Sequence, residues 1–192
     1  MIVGIGGGSA SGKTTLARRL AQRLGAALLL HDRYYRDAPE PHRVNFDHPD
    51  ALETERLVTD LDALRAGREV DLPVYDFATH RRAAWTDRLA PGPVIVVEGI
   101  LVLADAELRQ RFDVRAFVHA PADLRLARRI VRDTNERGRT VESVLAQYLD
   151  QVRPMHERWV EPSRAHAEIE LDGAGDLDAE LERLVTFLSS RG

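Results

Sequence analysis

The sequence contains no cysteine, which excludes disulfides, thiolate catalysis and cysteine-based metal sites. No apolar run approaches the ~18 residues a membrane-spanning helix needs, and the first helical stretch is rich in arginine, so neither anchor nor signal peptide is expected. A basic excess is also missing. The 27 Lys and Arg against 31 Asp and Glu leave a net charge of −4, which argues against a general nucleic-acid or membrane-surface binder. No repeat, low-complexity tract or linker divides the 192 residues, and a single domain over 1–192 with a sizeable core, cytoplasmic, is the expectation. The histidines 31, 42, 48, 119, 156 and 166 form no metal-spaced cluster. Lysine itself is almost absent: every cationic residue but Lys13 is arginine.

Lys13 stands inside the stretch that organises the chain. Ile2, Val3 and Ile5 form a short apolar run without polar alternation, as in a strand buried on both faces. Gly7 to Thr14 then spell G-x-x-x-x-G-K-T, and Leu16 to Leu24 continue with helical spacing, the strand–loop–helix order of a P-loop. Glycines in such a loop turn successive backbone N–H groups inward, and the helix that follows presents its positive end to the same point. Gly7, Gly8, Ser9, Ala10, Ser11, Gly12 and Thr15 are therefore read as the nucleotide cradle. Lys13 reaches the β- and γ-phosphates, and the Thr14 hydroxyl is placed for Mg²⁺.

Further strands are expected at Ala26–Leu30, Val94–Val97, Val114–Val118 and Ala167–Leu171. Helices are expected from an Asp50 cap to about Ala66, from Pro121 to about Asn135, from about Val141 to Val160 bent or interrupted at Pro154, and over Leu177–Leu188. Residues 69–77 and 83–89 suit an antiparallel hairpin. The sum is an α/β chain, a doubly wound parallel sheet flanked by helices, with a β-hairpin excursion and an arginine-rich lid. Chemistry in such sheets gathers at the carboxyl ends of the strands. Asp32 and Glu98 stand at two such ends beside the P-loop. Glu98 is a second Mg²⁺ partner, directly or through water, and Asp32 is placed to take a proton from an acceptor hydroxyl. Between residues 123 and 139, Arg125 and Arg128 read as a solvated helix face. Arg129 and Arg132, one helical turn apart, share a face, and Arg137 and Arg139 flank Gly138 in a turn suited to closing on phosphates.

Longer motifs narrow the reading. They are Asp32-Arg33-Tyr34-Tyr35, Asn45-Phe46-Asp47-His48-Pro49-Asp50, residues 73–80 (Pro-Val-Tyr-Asp-Phe-Ala-Thr-His), Glu98-Gly99-Ile100-Leu101, Arg128 to Arg139, Gln147-Tyr148 and Arg153-Pro154-Met155-His156. Together they resemble the uridine kinase (uridine–cytidine kinase) family, in the phosphoribulokinase/uridine kinase branch of P-loop kinases. The resemblance implies transfer of the γ-phosphate of ATP or GTP to the 5′-hydroxyl of uridine or cytidine. It implies Asp32 as general base, with Asp47 and Arg129 on the ribose hydroxyls and Arg132 near the sugar and the reacting phosphate. Tyr35, Phe46, Tyr75, Phe77, His80 and Gln147 would surround the base, and Arg137 and Arg139 would close over the triphosphate. Homotetramers are common in the family. Two departures stand out: Arg33 occupies a place where the family more often has a small residue, setting a cation near the nucleoside or the lid, and the stretch between Tyr35 and Asn45 is short. A kinase of another small alcohol (phosphoribulokinase- or pantothenate kinase-like) and a non-catalytic nucleotide-binding regulator stay open as alternatives.

Overall fold

A computed structural model describes residues 1–191. The chain opens with β1 (Ile2–Gly7), α1 (Lys13–Leu24) and β2 (Ala27–Leu30), followed by α2 (Thr54–Arg65) and an antiparallel hairpin, β3 (Val70–Asp76) and β4 (Arg81–Leu89). It continues through β5 (Ile95–Glu98), α3 (Ala106–Arg111), β6 (Val114–His119), α4 (Ala122–Glu136) and α5 (Val141–Gln147), and ends with β7 (Ile169–Asp172) and α6 (Leu177–Ser189). The five sheet strands pair in the order β2-β5-β1-β6-β7, all parallel. Every residue of β1 is buried at the centre, which is why its sequence carries no polar alternation.

Two apolar cores lie on the two faces of this sheet. One packs Val3, Ile5, Val96 and Val118 against Leu16 and Leu20 of α1 and Leu181 and Leu184 of α6. The other packs Leu29, Val97 and Phe117 against Leu57 and Leu61 of α2, Leu108 of α3, and Leu72 and Tyr75 of the hairpin. The doubly wound arrangement is thus observed. Among the described residues, no helix is long and apolar enough to cross a membrane.

Two local outcomes differ from the sequence expectation, and a third gives it detail. Asp50 does not cap a long helix: His48 Nδ1 accepts from Asp50 N at 3.2 Å and closes a 3₁₀ turn over Pro49–Ala51. Leu52 is then extended and bridges Tyr35, so α2 begins only at Thr54. α3 escaped notice because six residues are too few for a helical period. Its start is nonetheless marked by Asp105, whose side chain accepts from Leu108 N at 2.8 Å. At Pro154 the regular α-helix is interrupted, as expected, but without a break in helical backbone. After α5 the backbone stays helical, with π-helical turns at Tyr148–Val152 and His156–Val160 on either side of Arg153–Met155. A wider turn relieves the clash between a proline ring and the carbonyl one turn back.

The hairpin is fastened beside the sheet's carboxyl end by two arginines. Arg33 Nε donates to the Pro73 carbonyl at 2.8 Å and its guanidinium pairs with Asp87. Arg82 donates to the carbonyls of Tyr35 at 3.0 Å and Tyr34 at 3.1 Å, and pairs with Glu53. The Arg33 guanidinium therefore sits against the hairpin that carries Tyr75, and its charge is paired there.

Candidate active site

The loop after β1 begins where only glycine fits. Gly7 has φ 142°, and a Cβ there would lie 2.4 Å from the Val118 carbonyl oxygen. Gly12, at φ 100°, turns the chain into α1, whose first residue is Lys13. Lys13 Nζ lies 3.3 Å from Glu98 Oε1, and the Thr14 hydroxyl donates to the same oxygen at 3.1 Å. The parallel register sets Glu98 beside Ile5, two residues before the loop. A hydroxyl and a carboxylate on one point form a hard-oxygen pair that suits Mg²⁺, which keeps most of its shell as water and phosphate. Among the described residues there is no cluster of three metal-binding side chains.

An open cavity of ≈ 370 Å³ adjoins the loop, lined by Ala10, Gly12, Lys13, Thr14 and Thr15 on one side and by Arg128, Arg132, Asp172, Gly173, Gly175 and Leu177 on the other. Gly173 touches the loop itself, since a Cβ on it would meet Ser11 O at 2.0 Å. Arg128 Nη1 donates to the Gly173 carbonyl at 2.7 Å. This second wall was missed in the sequence. Its available signal was Asp172-Gly-Ala-Gly at the carboxyl end of the last strand, the edge where ligands bind in such sheets.

Asp32 follows β2 in a 3₁₀ turn, His31–Tyr34. Burial, reinforced by the negative charge of Glu98, pushes its pKa up to about 6, against the pull of Lys13 and Arg137. Asp47 is also buried, and burial raises its pKa while Arg129, Lys13 and Arg132 draw it down. Its backbone N–H donates to Asn45 Oδ1 at 3.0 Å, which holds the residue in a tight turn. Neighbouring His31 is buried and held neutral, its pKa lowered to about 4 by desolvation, with Nε2 3.2 Å from Thr54 Oγ1.

The aromatic residues of three separate segments meet. Tyr35 lies 5.4 Å, centroid to centroid, from both Phe46 and Tyr75, and Tyr75 lies 5.2 Å from Phe77. His80 stacks on Phe46 at 5.0 Å and adopts a left-handed φ of 54°. Phe77 is 51% exposed, so one ring face of the group opens to solvent. The Tyr75 hydroxyl is buried without a partner. Tyr35 joins this group to the acids, because Asp32 and Asp47 are the charges that most raise its hydroxyl pKa beyond the effect of burial.

The arginine-rich segment is less solvated than its composition suggests. Arg125 is 6% exposed and donates from Nε to the Ala120 carbonyl at 3.0 Å. With Arg128 on Gly173, neither belongs to the free helix face expected for both. Arg129 Nη1 donates to Ser9 Oγ and Nη2 to Gln147 Oε1, each at 2.9 Å. Gln147 also receives Arg139, whose Nη2 donates to Ser143 O at 2.9 Å, so its amide oxygen is engaged by arginines. Asp133, 0% exposed, organises the set: its oxygens lie 3.5 Å from Arg129 Nε, 2.8 Å from Arg132 Nε and 3.5 Å from Arg137 Nη1. The sequence showed Asp133 only as one charge among many. Its place four residues from both Arg129 and Arg137 was the readable signal.

Lys13, Asp32, Asp47, Glu98, Arg129, Arg132 and Arg137 thus converge between a phosphate-type cradle and a ring-lined nook. The arrangement can hold an anion, neutralise added negative charge and accept a proton. Residues 2–179 match the model of the phosphoribulokinase/uridine kinase family. The chain is 52% identical to the uridine kinase of Chloroflexus aggregans over 91% of its own length and 88% of that protein. It is 44% identical to the uridine kinase of Deinococcus deserti, over 95% and 92%. In fold it is similar to the phosphoribulokinase of Rhodobacter spheroides, with a TM-score of 0.67 at 16% identity, covering 89% of this chain and 69% of that one.

Proposed function

This chain belongs to the phosphoribulokinase/uridine kinase family, and from that footing we propose that it transfers the γ-phosphate of ATP, or GTP, to the 5′-hydroxyl of uridine or cytidine. The observation that carries this reading is the position of Asp32, a carboxylate shared between Lys13 and Glu98 on one side and the Tyr35 ring group on the other. The loop N–H groups and Lys13 hold the donor phosphates. Tyr35, Phe46, Tyr75, Phe77 and His80 receive the flat base, and the ring edges with the free Tyr75 hydroxyl read its polar rim. Asp47 and Arg129 take the ribose hydroxyls.

In the reaction Asp32 accepts the 5′-hydroxyl proton, the oxygen attacks the γ-phosphorus in line, and the bond to the bridging β–γ oxygen breaks to leave ADP. Lys13, Arg129 and Arg132 neutralise charge on the transferring group, and Arg137 and Arg139 close over it. Thr14 and Glu98 would hold Mg²⁺, which supplies further neutralisation of the phosphates when bound. A single-domain, cytoplasmic homotetramer is part of the proposal.

An acceptor panel with ATP and Mg²⁺, read as kcat/KM, tests it. Uridine or cytidine should lead the panel; product from ribulose phosphate or pantothenate but not from either nucleoside would overturn the reading. So would tight nucleotide binding without any transfer. A pH profile gives a second check. A base with a pKa near 6 is active only when ionised, so kcat/KM should rise about tenfold per pH unit below 6 and flatten above it. A profile flat from pH 5 to 8 would remove Asp32 from the role.

A further inference from the structure

Three cationic side chains are buried among the described residues: Lys13, Arg125 and Arg129. Lys13 has Glu98 at 3.3 Å and Arg129 has Asp133 at 3.5 Å. Arg125 has no carboxylate at ion-pairing distance among the described residues, and its Nε donates to a neutral carbonyl, that of Ala120. Desolvation correspondingly lowers its pKa, opposed by Tyr148 and Glu161. A buried, unpaired charge is costly, and an apolar residue of similar volume would pack at least as well. Packing alone is therefore a poor reason for arginine at this position.

Its location supplies a better one. A Cβ on Gly8 would fall 2.7 Å from Arg125 Nη1 and 3.0 Å from His156 Cε1, so both side chains press on the backbone of the phosphate loop's second residue. Arg125 arrives from α4, one turn before the Arg129 that donates to Ser9. His156 arrives from the π-helical turn after Met155. Its Nε2 lies 3.4 Å from the half-exposed Glu161, and Nδ1 is buried without a partner. Burial and the Arg125 charge hold the imidazole neutral, with a pKa near 4, so it adds bulk behind Gly8 without adding or cancelling charge.

We propose that Arg125 is a positioning residue for donor polyphosphate, its uncancelled charge held against Gly8 by the neutral His156 wedge and compensated when phosphates fill the loop. Gly8 is then required because any side chain would push the guanidinium away. The inference rests on Gly7–Thr14 being the donor phosphate site, and ADP binding by the parent protein separates the two: if the parent fails to bind Mg²⁺-ADP, that reading falls and this one with it.

Calorimetric titration of Mg²⁺-ADP into the parent, Arg125→Met, Arg125→Lys and Gly8→Ala proteins at two salt concentrations tests it. Arg125→Met should bind ADP roughly tenfold or more weakly at low salt, with a shallower salt dependence, because one unscreened charge has been removed. The ligand-free variant should melt no lower than the parent. Arg125→Lys should recover most of the affinity, and Gly8→Ala, which keeps the charge but displaces it, should lose affinity as Arg125→Met does. Parental ADP affinity in Arg125→Met or Gly8→Ala would overturn the proposal. So would an Arg125→Lys protein as weak as Arg125→Met, since the side chain would then act by shape.

Discussion

Asp32→Asn is expected to lower kcat by about 10³ or more while ADP still binds. The substitution keeps the size of the side chain but replaces one acceptor oxygen with an N–H donor and removes both the charge and the capacity to take a proton. General-base help is worth about 10² to 10⁴, and loss of alignment of the 5′-hydroxyl adds to it. The same substitution should stabilise the fold. Burial and Glu98 raise the Asp32 pKa from 3.8 to about 6, so the native state disfavours the ionised carboxylate. Because an acid with a raised native pKa destabilises the fold once ionised, that penalty is full above pH 6 and fades as pH falls toward 4. Asn carries no charge, so the variant should melt higher than the parent at pH 7, with the difference shrinking in acid. Loss of activity with a gain in melting temperature is the signature of a group kept for chemistry. Turnover near the parental rate, measured with uridine and ATP, would withdraw Asp32 as the base.

Arg129→Met should cost about 10³-fold or more in kcat/KM for the nucleoside, the scale of an arginine that neutralises a transferring phosphoryl group. Arg129 bonds Ser9 of the loop and Gln147 of α5 at the same time, each at 2.9 Å. It is also the first-ranked charge opposing the burial of Asp47. Removing it unties the two sides of the cleft and leaves Asp47 more readily protonated. Arg129→Lys should restore little, since one compact ammonium cannot span two partners as a planar fork does. Steady-state kinetics with nucleoside varied at saturating ATP decides it. A variant within tenfold of the parent, or a lysine variant that works as well as arginine, would show that the bridge is dispensable.

How far the site could be read in advance depended on how far apart its parts lie along the chain. The cradle is contiguous, Gly7 to Thr14, so glycine spacing, one lysine and a flanking strand and helix were sufficient. Asp32 and Glu98 were legible because each ends a short apolar strand, and strand ends in a parallel sheet share one edge. The ring group was assembled by family likeness from three segments. Its actual closure depends on Arg33 and Arg82, which anchor the hairpin to carbonyls some 40 to 48 positions away.

The arginine segment shows the limit most clearly. Arg125 and Arg128 look in sequence like any charged helix face, and nothing local distinguishes them from Arg129. The burial of Arg125 against Gly8 and His156, and the bond of Arg128 to Gly173, are decided by three other parts of the chain. Asp133 likewise becomes a hub only because the fold excludes water from it. Local spacing reports what a residue does to its own helix or loop, and by itself it determined the α/β class, the phosphate cradle and the two strand-end carboxylates. Which cations are left uncompensated, which wall closes the cavity beside the glycine loop and where the rings meet depend on desolvation by distant segments, and only the tertiary structure decided them.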